Sequence, residues 1–328
     1  MTASRTPKRL TRGWSALESD PASSGRHAEA ALQAAPGSTE ATALLAASRR
    51  RLGDIMGSAA LFRPLMARRP GLEAAWFEWG MTLSAMGEET QAVEALREAV
   101  RLLPRFAEAW RALGDQLIVL GAGAAAGEAY AQAVRAATRD ARLAEAATAL
   151  AEGRAKMAET LLLKHVRRDA TDARANHLLA EAAIRVGRVA EAQAVLRHCL
   201  VLAPGLTEAR HSLAILLYVQ RQFGPAIPHF RALLAAAAHQ PSLLAMLAHA
   251  LLETGAAEEA LPLHEAMLGA FHAQPRVWLA YGHALQTLGR GAEAARAYRT
   301  CIGLAPGWSA GAYLSLADLK TVPLTDEE

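Results

Sequence analysis

The sequence predicts an all-α protein, a solenoid in which helical hairpins stack one on the next. Three observations predict it. Glycine recurs at Gly53, Gly87, Gly121, Gly153, Gly187, Gly255 and Gly289 with a period of 34 residues, apart from one step of 32 after Gly121, and Arg221 fills the one missing slot. A small residue stands seven positions before each slot (Ala46, Gly80, Gly114, Ala146, Ala180, Ala214, Ala248, Gly282) and another five positions after it (Ser58, Ala92, Ala126, Ala158, Ala192, Ala226, Ala260, Ala294). Between these marks the large apolar residues fall at i, i+3, i+4 and i+7, as in Trp76, Trp79, Leu83 or Trp110, Leu113, Leu117, which is the period of a helix and not of a strand.

Each mark has a physical reason. The two small residues face each other across a hairpin and let the two backbones approach closely. The glycine ends the first helix in a left-handed conformation that residues with a Cβ adopt only at a cost. Proline stops the second helix at Pro36, Pro70, Pro104, Pro204 and Pro306, with Pro241 and Pro275 three positions later in register. The period then divides the chain into repeats 5–38, 39–72, 73–106, 107–138, 139–172, 173–206, 207–240, 241–274 and 275–308. Residues 1–38 form an N-terminal segment with a degenerate first repeat, residues 39–308 the array of eight further repeats, and residues 309–328 a capping helix and the start of a linker. The fifth repeat fits poorly: strict register puts Glu145 and His165 at core positions, so its first helix is expected to slip. Residues 309–320 form the extra helix that an open apolar end requires.

Composition narrows the function classes. The chain has 328 residues, 52% of them apolar and 5% aromatic, so it is neither disordered nor a typical all-β domain. Lys and Arg number 35 against 32 Asp and Glu, interleaved, for a net charge of +3. Such a mixture offers no phosphate-binding stripe, and nucleic acid is not an expected partner. The N-terminus has no apolar signal core. The uncharged stretch from Ala232 to Leu252 is split by Pro241 and by a repeat boundary, so no membrane span is expected and the location is read as cytoplasmic. The two cysteines, Cys199 and Cys301, share one repeat position and read as buried structural thiols. His177 and Glu181 are spaced as metal ligands on one helix face, yet no third ligand follows, and no metal is expected. The run Arg49, Arg50, Arg51 reads as a solvated face and not as a phosphate clamp.

The stretches AEAWRALGDQLIVLG and VWLAYGHALQTLGRGAEAARAYRTCIGLAP carry the Trp, Leu-Gly, Ala, Tyr and Pro positions of the tetratricopeptide repeat, and the whole array resembles that family. The resemblance implies a right-handed superhelix whose first helices line a concave groove. The groove-facing repeat positions would place Phe77, Met81, Arg111, Asp115, His177, Glu181, Arg185, His211, Tyr218, His249, Arg276 and His283 on that surface. An extended peptide or a protein loop is the expected ligand. The Lys/Asn set by which related arrays grip chaperone tails is missing, as is a ladder of groove asparagines. The groove histidines would make binding sensitive to pH.

Residues 275–328 are more specific. Tyr313, Ser315, Leu316, Ala317, Asp318, Leu319, Lys320 and Thr321 resemble the junction at which bacterial tetratricopeptide arrays are fused to a sulfotransferase; Val322 and Pro323 depart from it. That resemblance implies a recruiting region for a transferase that uses 3′-phosphoadenosine 5′-phosphosulfate, with its catalytic domain and cofactor outside this chain. No catalytic motif occurs in the chain itself. The alternative is a stand-alone adaptor in a bacterial assembly or cell-envelope complex.

Overall fold

The computed structural model describes residues 6–68, 70–236, 240–271, 275–306 and 310–319. These residues form nineteen α-helices and no strand among them. In order they are α1 (Thr6–Ala16), α2 (Pro21–Ala34), α3 (Thr39–Arg51), α4 (Ile55–Ala67), α5 (Glu73–Ala85), α6 (Glu89–Leu102), α7 (Ala107–Val119), α8 (Gly123–Ala137), α9 (Ala141–Ala151) and α10 (Ala155–Val166). The second half continues with α11 (Ala173–Arg185), α12 (Val189–Leu202), α13 (Thr207–Val219), α14 (Phe223–Ala236), α15 (Pro241–Glu253), α16 (Ala257–Phe271), α17 (Pro275–Thr287), α18 (Gly291–Leu304) and α19 (Ala310–Asp318). Consecutive helices pair as antiparallel hairpins, and each hairpin packs on the next.

The glycine slots behave as their spacing demands. All seven hold φ between +72° and +86°, and Arg221, in the eighth slot, is at +56°. No other residue with a Cβ has positive φ among the described residues. The small-residue contacts are tight. A Cβ added at Gly114 would lie 2.4 Å from the Tyr130 ring, and one at Gly282 would lie 2.3 Å from the Tyr298 ring. A further regularity joins the repeats: the fourth residue of several repeats donates to the carbonyl six positions earlier, where the preceding helix has ended. Trp76 Nε1 reaches Pro70 O at 2.7 Å, Trp110 Nε1 reaches Pro104 O at 3.0 Å, Asn176 Nδ2 reaches Ala170 O at 2.9 Å and Arg210 Nη2 reaches Pro204 O at 2.7 Å. Four different side chains thus satisfy the same class of orphan carbonyl.

Caps begin several first helices. Ser38, Asp140 and Asp172 each accept from a backbone N–H of the first turn of α3, α9 and α11. The ends of the array are covered. Leu10 of α1 and Leu17 of the turn after it pack with Leu44 and Leu45 of α3, while Ala312, Leu316 and Leu319 pack with Tyr298 and Cys301. Both cysteines are buried, and burial pushes the Cys199 thiol up to about 11. No helix among the described residues is long and apolar enough to cross a membrane: α14 ends at Ala236 and α15 starts at Pro241. Residues 320–328, with Lys320, Thr321, Val322 and Pro323 of the junction pattern, lie outside the described residues.

One region departs from the sequence reading, and the fifth repeat slips as its poor register predicts. Arg50 and Arg51 are not on a solvated face: both are buried on Glu78 of the next repeat, at 2.5 and 3.4 Å, and Arg51 also bonds Glu18. An arginine fork on a shared carboxylate is among the few ways a guanidinium enters a protein interior. In the fifth repeat, Leu143, Ala146, Ala147 and Leu150 are buried while Glu145 is exposed, so α9 is rotated to present its one apolar stripe inward. His165 moves to the hairpin's edge and bonds Asp172 at 2.9 Å.

Candidate interaction surface

The fourth repeat is two residues short, and only Thr138, Arg139 and Asp140 join α8 to α9. The regular loops, such as Leu103–Phe106 and Ala203–Leu206, hold four residues and a proline. Past this short loop, α11 packs directly on α8, and Arg185 Nη2 donates to the Gly127 carbonyl at 2.7 Å across 58 residues of sequence. The array therefore bends inward. The two halves meet across their inner faces: α15 rests on α5 and α7, α16 touches α4 and α5, and Ile118 and Val119 of α7 pack against the apolar cluster of the later repeats.

The bend gathers polar side chains. Asp115 Oδ1 accepts from Tyr130 Oη and from His211 Nε2, both at 2.8 Å, although Asp115 and His211 are 96 residues apart. The Tyr130 and His211 rings meet edge to face at 5.5 Å. Burial, and then the Asp115 charge, hold the Tyr130 hydroxyl far above its usual pKa. One repeat away, Ser212 Oγ donates to Glu181 at 2.5 Å and lies 3.0 Å from His177 Nε2. Burial alone would raise the Glu181 pKa, but His177, Ser212 and Arg185 together bring it below the usual carboxylate value. Glu181 sits on the serine hydroxyl and not on the far nitrogen of His177, so this is not the relay that activates a nucleophile. His177 Nε2 and Glu181 Oε1 both engage Ser212 and lie 3.5 Å from each other.

Beside this network lies a pocket of about 100 Å³, walled by Arg111, Leu143, Arg174 and Glu208 and floored by His177 and His211. Arg111, Arg174 and Glu208 line it and enter no ion pair among the described residues; Arg174 is exposed, and Arg111 and Glu208 are half-buried.

The remaining groove candidates lie apart from this network. The Phe77 and Phe106 rings meet tilted at 49°, 4.9 Å apart, and Met81 is buried. Tyr218 and His249 share a hydrogen bond of 3.0 Å, and burial keeps the His249 pKa below the ordinary histidine value. Arg276 pairs with Glu89 at 3.2 Å, at the rim where the two halves meet. His283 reaches Ser315 of the terminal helix at 3.0 Å and is likewise lowered by burial. The structure thus brings Arg111, Asp115, His177, Glu181 and His211 together, with Arg185 behind them. Phe77, Met81, Tyr218, His249, Arg276 and His283 are held elsewhere. Ser212, Gln116 and the Glu78 carboxylate lie outside the groove candidates; Tyr130 has the spacing of an inward-facing core residue, which does not disclose the partner of its hydroxyl. Several of the contacts they make sit at one-repeat offsets, such as Arg50 with Glu78 and Glu181 with Ser212. Pairing complementary residues about one repeat apart would have found these.

The sequence profile of the tetratricopeptide repeat matches residues 74–105, 173–205 and 275–307. A search of curated protein sequences finds no match. Among solved structures, MamA AMB-1 is 21% identical, with a TM-score of 0.44 over 51% of this chain and 99% of its own. MamA from Desulfovibrio magneticus RS-1 (residue 41 to the end) is 16% identical, with a TM-score of 0.43 over 52% and 99%. Cut9 of the APC/C hetero-tetramer Cut9–Hcn1 is 14% identical, with a TM-score of 0.42 over 97% of this chain and 56% of its own. The chain carries tetratricopeptide repeats and folds as an all-helical solenoid of them.

Proposed function

We propose that this solenoid is a protein-interaction scaffold whose docking point is the pocket between α7, α8, α11 and α13. The observation that carries the reading is the set of unpaired charges on Arg111, Arg174 and Glu208 around an opening whose floor is already hydrogen-bonded. Fixed charges over a rigid floor suit a segment of protein with complementary charged groups. Replacing Arg111 with a photo-crosslinking residue tests this in the source cell. A partner crosslinked from position 111, and not from the exposed Val201, supports the site. Equal yields from both positions would overturn it.

The finer reading is that the scaffold works in the bacterial cytoplasm as the substrate- or partner-recruiting N-terminal region of a sulfotransferase. The catalytic domain, with its 3′-phosphoadenosine 5′-phosphosulfate, would then lie outside this chain. The resemblance of residues 275–328 to such a junction supports it. Sequencing the source DNA past the codon for Glu328 tests it: an Arg-Ser-Gly-Ser/Thr loop in frame supports the fusion. A stop codon would leave the stand-alone adaptor.

A further inference from the structure

The inner face of repeats three and four is not open. α15 lies across it, against α5 and α7, and the seam between them is imperfect. A void of about 190 Å³ remains there, lined by Ser84, Gln116, Val119, Ser242 and Ala245. Gln116 is 97% buried (3% exposed), and its Oε1 has no hydrogen-bond partner among the described residues. An unsatisfied buried carbonyl beside a void marks an interface that forgoes both contacts and a hydrogen bond. The one ion pair described across the rim of the seam, Arg276 with Glu89, joins a half-exposed arginine to a mostly buried carboxylate; burial raises the Glu89 pKa more than Arg276 lowers it, so the pair only partly offsets its own desolvation. α15 itself, PSLLAMLAHALLE, carries no charge until Glu253 at its end.

We propose that α15 is an internal lid. It occupies a docking strip on α5 and α7 that fits an uncharged apolar helix with a hydrogen-bond donor for Gln116, and the seam opens to let a partner helix of that chemistry replace it. The partner class follows from what sits there now: a helix of leucine, alanine and methionine with Ser242 at its start. The bend at the short α8–α9 loop is the place about which the two halves would part. The idea rests on the scaffold reading but concerns a different face from the Arg111 pocket.

The test has two arms on the full chain. In the first, Ser84→Cys reports access to the seam by its alkylation rate; Cys199 and Cys301 are buried and react slowly. Arg276→Glu places a second carboxylate against Glu89 and should raise the rate at least tenfold. Adding Glu89→Arg should restore slow labelling. If Arg276→Glu does not fold, Glu89→Gln serves in its place, with a smaller rise expected. Rates that ignore both variants would overturn the lid, while leaving the Arg111 site as it stands. In the second arm a fluorescent peptide of residues 241–253 with a lysine tail is titrated into each chain. Binding at least tenfold tighter to the Arg276→Glu chain supports the partner class. Fast labelling without peptide binding would overturn that class.

Discussion

The hairpin α7–α8 and the hairpin that follows it, α9–α10, are built on one plan and pack differently. In the first, Gly114 admits the Tyr130 ring, and Leu113 and Leu117 join the core from the large apolar positions. In the second, those positions hold Arg142, Glu145 and Ala149, the small slot is Ala146, and α9 turns to bury Leu143 and Leu150 instead. Full pattern gives a hairpin stacked squarely on its neighbours. Partial pattern, with a loop one residue short, gives a hairpin that lets α11 reach past it to α8. The bend is the structural cost of the irregular repeat, and the inward polar network is its product.

The largest expected effect breaks that product. His211→Leu removes one donor from Asp115, which keeps only the Tyr130 hydroxyl in a buried site. Leaving a buried acceptor short of a partner costs about 1–3 kcal/mol, and a carboxylate stands at the upper end of that range, about 3 kcal/mol. Urea unfolding should show that loss, and Asp115→Leu on the same chain should recover much of it. A loss below about 1 kcal/mol would mean that apolar contact, and not the polar network, holds the halves together.

This contrast also separates what the sequence discloses from what it hides. The period, the hairpin turns and the buried face of most helices follow from residue size and spacing, because each repeat meets mainly its neighbours. Contacts at one-repeat offset are legible by the same rule, as Arg50 with Glu78 and Glu181 with Ser212 show. Asp115 with His211 spans 96 residues. It depends on how small angular errors add up across the irregular repeat, which no local pattern encodes. Arg50 and Arg51 misled for a related reason: a run of like charge normally seeks water, and only the neighbouring repeat supplies the Glu78 that admits it to the interior.

Within the regular hairpin, Gly114→Leu should overpack against Tyr130 and cost about 1–3 kcal/mol. Even Gly114→Ala should be felt, since the added Cβ meets a flat ring that cannot bend aside. Gly80 makes the comparison sharp: its Cβ would meet Leu96 Cγ at 2.8 Å and Cδ2 at 3.0 Å, on an aliphatic side chain that can rotate about its χ angles as a ring against the backbone cannot, so Gly80→Ala should cost less. Equal costs from thermal unfolding of the two alanine variants would show that the hairpins adjust as rigid bodies and not through the facing side chain.

The same slot that holds Tyr130 holds His264 in α16, buried, with neither ring nitrogen hydrogen-bonded among the described residues. Burial, and after it the neighbouring His283 of α17, pushes its pKa down to about 4 from 6.5. Between those values the unfolded chain carries a proton that the folded chain refuses. Stability present above pH 6.5 is therefore lost as pH falls toward 4. At pH 5 the loss is about 2 kcal/mol, from roughly 1.4 kcal/mol for each pH step. His264→Leu, which installs the residue found at Leu96 and Leu196, should remove this part of the acid sensitivity. Parallel stability–pH curves for the two proteins would refute it.

The smallest effect concerns the glycine slots. Arg221 sits at φ +56° where every other repeat with a described slot uses glycine. Its side chain pairs with Glu253 at 2.8 Å and lies over the Phe223 ring at 5.4 Å. Those contacts are exposed and add little, whereas a Cβ in the left-handed region costs about 1 kcal/mol or slightly more. Arg221→Gly alone would mix the two effects. Comparing Arg221→Gly with Arg221→Ala isolates the backbone, since both lose the same side chain. The glycine variant should be the more stable by about 1 kcal/mol despite its freer unfolded chain. An alanine variant of equal stability would mean that the turn shifts out of the left-handed region when the arginine is removed. The side-chain contacts, and not the repeat plan, would then be what holds Arg221 there.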